Sequence, residues 1–309
     1  MRSPILEGRF TRFARGKVAV CCLLLCFISC KEDLQVGPVE DAGSPPILFT
    51  SERDGNLNIF MMGSDGSDPI RLTAHAADDF SSDWHTDGYG HTIVFMSTRD
   101  GDHEVFAMRT TGMWLQQLTD NARRDGFPRW SPDGSQILFT SDRDGDLELY
   151  VMDADGANPR QITWNRGEDI GGAWSPDGSE IVFASTRGSS REIYFVAVDG
   201  TGVVRLTNND VFETGRVAWS PDGSRIAFEA YRFGSADLYV IDVDGRNEVQ
   251  LTDHPADDRY PVWSPDGQQI GFTSHRDGDG EIYLMEADGT GLVRLTFSRG
   301  LDVIDSWRR

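Results

Sequence analysis

Carboxylates and guanidinium groups recur in register along this chain, and they are its most chemically suggestive feature. Asp79, Asp125, Asp169, Asp258 and Asp302 each stand five residues before a tryptophan. Arg53, Arg99, Arg143, Arg187, Arg232 and Arg276 each follow a short apolar run. One unit departs from the rule, with Thr214 in the carboxylate slot and Glu213 beside it. Two chemistries fit. An Asp–Arg pair repeated from unit to unit can brace the fold. Alternatively, a ring of close carboxylates at a channel mouth would raise one another's pKa and could be relieved by a divalent cation or a basic partner. Repetition is the habit of a scaffold, whereas ligand sites usually break symmetry, so the brace is the plainer expectation.

A second set of residues does not repeat: His75, Arg123, Arg124, Phe127, Trp164, Arg166, Phe212, His254, Arg259 and Tyr260. Aromatic residues and arginine are the types that anchor protein interfaces. Singly each reads as a loop-packing residue; together they form a candidate partner-binding face. Catalytic motifs fail on spacing. Asp142-Arg143-Asp144-Gly145-Asp146 starts like a calcium loop, but its glycine is in the fourth place rather than the sixth and no Glu follows at twelve. Gly-x-Ser-x-Gly, His-Glu-x-x-His and phosphate-cradling loops are all missing from the sequence, and the six histidines have no recurrent metal spacing. The expectation is a non-catalytic protein without a cofactor, beyond a divalent cation in the channel as the open alternative.

The elements that position these residues follow from the tryptophans. Trp84, Trp130, Trp174, Trp219, Trp263 and Trp307 recur at steps of 46, 44, 45, 44 and 44 residues. Four open a Trp-Ser-Pro-Asp-Gly turn, at Trp130, Trp174, Trp219 and Trp263. An Ile-x-Phe run, an aromatic run (Phe60, Phe106, Tyr150, Tyr194, Tyr239, Tyr283) and a closing Leu-Thr or Ile-Thr pair follow in register. A period in the 40s, with β-forming runs and glycine turns, predicts an all-β, six-bladed propeller of four-stranded antiparallel blades. The first unit starts at Ile47 without a Trp strand, and Trp307 is followed only by Arg308 and Arg309. Residues 302–307 are therefore expected to complete the first blade and close the ring. The long, variable connections between blades share one side of the ring with the Asp and Arg slots, and variable loops on a rigid frame are where function usually resides.

Residues 1–29 read as an export signal of lipoprotein type. Arg2, Arg9, Arg12, Arg15 and Lys17 precede an apolar run from Val18 to Ile28, too short to span a bilayer. Phe27-Ile28-Ser29-Cys30 resembles a lipobox, which makes Cys30 the expected lipidation site; an incidental cysteine is the alternative. All four cysteines fall within residues 21–30, so the domain that follows has no thiol with which to form a disulfide. Residues 30–45 read as a flexible linker and 46–309 as the propeller. The chain has a formal net charge of −21, and without its first 30 residues 24 Lys and Arg face 49 Asp and Glu. That balance excludes nucleic acid and leaves the N-terminal lipid as the sole membrane attachment.

Trp-Ser-Pro-Asp-Gly-x-x-Ile-x-Phe-x-Ser-x-Arg, with aromatic-x-Met-x-x-Asp-Gly and Leu-Thr, resembles the WD40-like repeat of the TolB-like β-propeller family. Its best copy runs from Trp130 to Thr163, and the resemblance covers about residues 46 to 307. It implies a protein-interaction scaffold in the bacterial cell envelope facing the periplasm; the lipid anchor is expected from the lipobox rather than from the resemblance, and a monomer is expected. The implied partner is an envelope protein or a peptidoglycan-associated lipoprotein, as in Tol-Pal systems. The family also has an N-terminal α/β domain, where this chain has the 30–45 linker. Similar propellers occur in oligogalacturonate lyases, so a carbohydrate-active enzyme or glycan-binding module is the alternative. Convergence of His75, His254 and Arg259 in one pocket would be its sign.

Overall fold

Short apolar runs with no polar face must be covered on both sides, and here each blade is covered by its two neighbours. The computed structural model describes residues 46–87, 90–209, 212–232 and 234–308; the segment expected to be an export signal, Cys30 and the expected linker lie outside the described residues. Twenty-four described strands, β1 to β24 in chain order, form six antiparallel four-stranded sheets. Five sheets use consecutive strands: β4–β7 (residues 79–117), β8–β11 (125–161), β12–β15 (169–205), β16–β19 (212–250) and β20–β23 (258–294). These are blades 2 to 6. Blade 1 combines β1 (Ile47–Ser51), β2 (Asn58–Met62) and β3 (Ile70–Arg71) with β24 (Asp302–Trp307). The C-terminal strand thus closes the ring as expected, pairing Ile47 with Trp307 and Ser51 with Asp302.

The period-2 geometry of a strand explains how blade 1 serves two seams. Ile47, Phe49, Phe60 and Met62 pack with Ile304 and Trp307 against Ile282, Leu284 and Leu295 of blade 6. The alternate residues Leu48, Ile59 and Met61 pack against Trp84, Ile93, Phe95 and Phe106 of blade 2. Four further clusters repeat the arrangement around the ring. One phenylalanine per blade (Phe49, Phe95, Phe139, Phe183, Phe228, Phe272) is completely buried. The Ser-Pro-Asp-Gly turns are held by their own side chains: Asp133 accepts from Ser131 Oγ at 2.7 Å and from the Ser135 amide at 3.0 Å, while Gly134 takes a φ of 68°.

The inner strands are not regular. Each has a bulge about three residues before its tryptophan, where the pairing register shifts. In blades 2 to 6 a residue at the bulge has positive φ: Ser81, Phe127, Gly171, Gly215 and Tyr260. In blade 5 the bulge holds one extra residue, so that Glu213, six residues before Trp219, pairs with Ala230. The carboxylates of the other blades pair with a serine at that position, as Asp125 does with Ser141. Glu213 rather than Thr214 therefore occupies the slot.

Removing residues 302–308 leaves β1 with an open edge and uncovers the seam with blade 6. Trp307→Ala alone should lower stability by about 3–5 kcal/mol, the usual loss for a buried large aromatic. The truncated chain should melt far below the intact one; equal melting temperatures would contradict closure by β24.

Candidate functional site

The repeated carboxylates form a brace. Arg53, Arg99, Arg143, Arg187 and Arg276 donate through Nη2 to Asp302, Asp79, Asp125, Asp169 and Asp258 at 2.6–3.0 Å. All five carboxylates are fully buried. Each arginine also donates through Nε to the serine two residues before it, as Arg143 does to Ser141 at 2.9 Å. Its guanidinium lies over the blade's two central rings, 5.2 Å from Phe139 and 4.9 Å from Tyr150 in blade 3. Each pair lies within one blade, and Asp79 Oδ2, Asp125 Oδ1, Asp169 Oδ1 and Asp302 Oδ1 are buried without a hydrogen-bond partner among the described residues. Blade 5 differs: Arg232 pairs with Glu248 at 2.5 Å and lies 4.1 Å from the Tyr239 ring. The side chains of Phe212 and Glu213 lie outside the described residues.

The bulges aim a different set of residues inward. A cavity of about 280 Å³ is lined by inner-strand residues of every blade, including Asp83, Phe127, Arg129, Arg216, Tyr260 and Asp305. The Arg216 guanidinium lies between Tyr260, 4.6 Å from the ring centroid, and Phe127, at 5.9 Å. It donates to Ser81 Oγ at 3.2 Å and lies 3.8 Å from Asp305 Oδ1. Asp305 Oδ2 accepts from Thr50 Oγ1 at 2.7 Å and Ser82 Oγ at 2.9 Å. Neither Arg216 Nη1 nor Asp305 Oδ1 has a hydrogen-bond partner among the described residues. Burial pushes the Asp305 carboxyl up, opposed first by the Arg216 cation. Burial, and then the same cation, push Arg129 down. The lining thus joins the guanidinium groups of Arg129, Arg216 and Arg308, the carboxylates of Asp83 and Asp305, and aromatic walls that include Phe127 and Tyr260, a combination suited to holding a charged, partly planar group.

Of the ten residues on the expected binding face, Phe127 and Tyr260 line this cavity. The other described ones are dispersed. His75, Arg123, Arg124, Trp164 and Arg166 are exposed in separate connections. Trp164 packs against Gly200 of the next blade. Arg259 pairs with Asp257 at 2.7 Å, and His254 Nδ1 accepts from the Ala256 amide at 3.1 Å. His75, His254 and Arg259 do not line the cavity. Sequence reasoning missed Arg129, Arg216, Asp83 and Asp305. The available signal was their irregularity: they stand one to three residues before a tryptophan, in slots that hold no repeated residue type.

A second group of acids, Glu104, Glu148, Glu192 and Glu281, stands at the head of the third strand in blades 2, 3, 4 and 6. Glu192 and Glu281 are paired there with Arg205 at 2.6 Å and Arg294 at 2.9 Å. Glu104 and Glu148 have Gln117 and Gln161 in place of that arginine. Burial pushes both up, from the usual 4.5 to about 7. Glu104 also groups with Asp100 and Asp102, each offering an oxygen within 4.8 Å of the others. Among the described residues this is where carboxylates are close enough to share a metal.

Comparisons with known proteins agree with the fold. The family described as the TolB beta propeller domain matches residues 115–217 and 209–308. Comparison with curated proteins gives no significant match. TolB from Acinetobacter baumannii is 24% identical with a TM-score of 0.76, over 85% of this chain and 66% of that one. This chain therefore spans just under two thirds of that protein. A structure described as putative TolB from Agrobacterium tumefaciens is 20% identical with a TM-score of 0.67, over 85% and 91%. An oligogalacturonate lyase in complex with manganese is 16% identical with a TM-score of 0.55, over 78% and 85%. At these identities the likeness is one of fold.

Two outcomes follow. Arg143→Ala leaves the Asp125 carboxylate buried without its cation and should lose about 3 kcal/mol. Arg246→Ala, at the exposed pair with Asp244, should change stability by less than about 0.5 kcal/mol. Urea titration distinguishes them, and equal losses would contradict the brace. For Glu104, a folded pKa above the unfolded one means that the folded state binds the extra proton. Its contribution is full below pH about 4.5 and is lost as pH rises through about 7. Glu104→Gln should therefore flatten the fall in melting temperature across that window; an unchanged pH profile would contradict the assignment.

Proposed function

Because the chain belongs to the TolB beta propeller domain family, we propose that it is an exported, envelope-anchored, non-catalytic scaffold whose channel opening holds a segment of an envelope protein partner. The observation that carries this reading is the Arg216 cluster. Its guanidinium is clamped between Phe127 and Tyr260, it faces Asp305, and Nη1 is left without a protein acceptor among the described residues. Preorganised arginine and aromatic groups at the centre of a recess are the usual anchors of protein recognition. The cluster is also asymmetric, drawn from blades 1, 3, 5 and 6, whereas the brace repeats. The resemblance that suggests an envelope role also suggests the partner class, a peptidoglycan-associated lipoprotein or similar envelope protein. A lyase-like reading needs a constellation of His, Arg or metal ligands, and the dispersal of His75, His254 and Arg259 favours binding instead. Localisation to the cell envelope rests on the basic-apolar segment and Cys30, with the acyl chains holding the protein at a membrane.

The test is crosslinking pulldown from the native envelope with the wild-type chain, Arg216→Ala and Tyr260→Ala, with Arg166→Ala as control. Partners captured by the wild type and the control should be lost from both channel variants while their thermal melts stay cooperative. The same partner list from all four proteins would overturn the channel as the binding site.

A further inference from the structure

One turn in blade 2 breaks the pattern of the other five blades. The turn between the third and fourth strands of each blade holds a residue in the left-handed region: Asp68, Trp114, Asn158, Gly202, Asn247 and Gly291, with φ between 49° and 69°. Asp, Asn and Gly tolerate this conformation, whereas a bulky side chain is strained in it. Only blade 2 has a tryptophan there. Three residues earlier, Thr111 replaces the acid present at Asp65, Asp155, Asp199, Asp244 and Asp288. Arg109 stands where the other blades have Gly63, Asp153, Ala197, Asp242 and Glu286. Met113, Trp114 and Leu115 project into solvent at 66%, 54% and 50% exposure. The turn is closed by its own backbone, Arg109 N–H to the Met113 carbonyl at 2.8 Å, so the three side chains form a fixed tip.

The position of this tip relative to the start of the propeller gives it meaning. The chain enters the propeller at Pro46, whose carbonyl accepts from the Arg308 amide at 3.0 Å. Arg308 Nη1 lies 3.0 Å from His91 Nε2, and the His91 carbonyl accepts from the Thr110 amide at 3.1 Å. Thr110 begins the turn that holds Trp114. The entry point and the apolar tip thus share one face and are linked by three hydrogen-bonded contacts.

We propose that Met113, Trp114 and Leu115, at the outer rim of blade 2, dip into the headgroup region of the bilayer to which Cys30 anchors the chain. The proposal rests on the lipoprotein reading of Cys30. Residues 30–45 can reach at most ~55 Å when extended, so the tether keeps the tip at high effective concentration near lipid. Tryptophan is favoured at the membrane–water interface. Three side chains are too few for an independent protein interface, which buries roughly 800 Å² per partner, but they suffice for a contact already held by a tether. The aspartates of the neighbouring turns on this face favour zwitterionic over anionic lipid.

The test uses the full chain, purified with its N-terminal modification and reconstituted into phosphatidylcholine–phosphatidylethanolamine vesicles with and without brominated acyl chains. Bromolipid should quench tryptophan fluorescence of the wild type and of Trp164→Phe, and quenching should be lost in Trp114→Asn. Trp114→Asn should also melt at a higher temperature than the wild type, because asparagine suits the left-handed position. Vesicle flotation separates the two ideas. Flotation without Trp114-dependent quenching overturns the contact and leaves the anchor standing. Failure to float overturns both. Quenching that appears only with a co-purified protein, and is lost when that protein is removed, would reassign the tip to a protein partner and also overturn the proposal.

Discussion

Everything in this molecule depends on the pairing of β24 with β1. A four-stranded blade that is apolar on both faces cannot stand alone, and a row of six such blades would still leave two faces and two edges uncovered. Joining the last strand to the first sheet removes both liabilities. It buries Ile304 and Trp307 between blades 1 and 6. It also delivers Asp305 to the channel, where Thr50 of β1 and Ser82 of blade 2 fix one oxygen and the other faces Arg216 of blade 5. Ring closure and construction of the candidate site are therefore one event.

The frame is made stiff by a device repeated in five blades, the buried Asp–Arg pair with its serine and two rings. The proposed recognition sites are all departures from repetition. Blade 5 has an extra bulge residue and Arg216, the inner strands of blades 3 and 6 supply Phe127 and Tyr260, and blade 2 carries the apolar turn at Trp114. A repeat protein can host such exceptions because each unit is held by its neighbours, and a change in one loop leaves the seams intact.

The division between what could be read in the sequence and what could not follows the same line. Six tryptophans at near-constant spacing place the inner strands, the turns and the closing strand, because strand period and turn chemistry are local properties. The Asp–Arg relation was legible as residue types in register; only coordinates show Asp125 fully buried and held by Arg143 at 2.8 Å. Arg216 and Asp305 were not legible as a pair. They are 89 residues apart in the sequence, and they meet because the bulges of β16 and β24 turn side chains into the channel. Beside their irregular slots, the hint for Arg216 was the shift of the acid from five to six residues before Trp219, which reflects the extra residue that Arg216 follows.

Native-state hydrogen exchange on the intact chain tests this account most directly. If the ring closes through β24, the amides of β1 and β24 should open only with global unfolding, with the same protection as those of inner strands such as β12 (Asp169–Trp174). Fast exchange at Phe49, Ile304 and Trp307, alongside full protection of blades 3 to 5, would contradict it. That result would mean an open ring in which the channel cluster is not a permanent site.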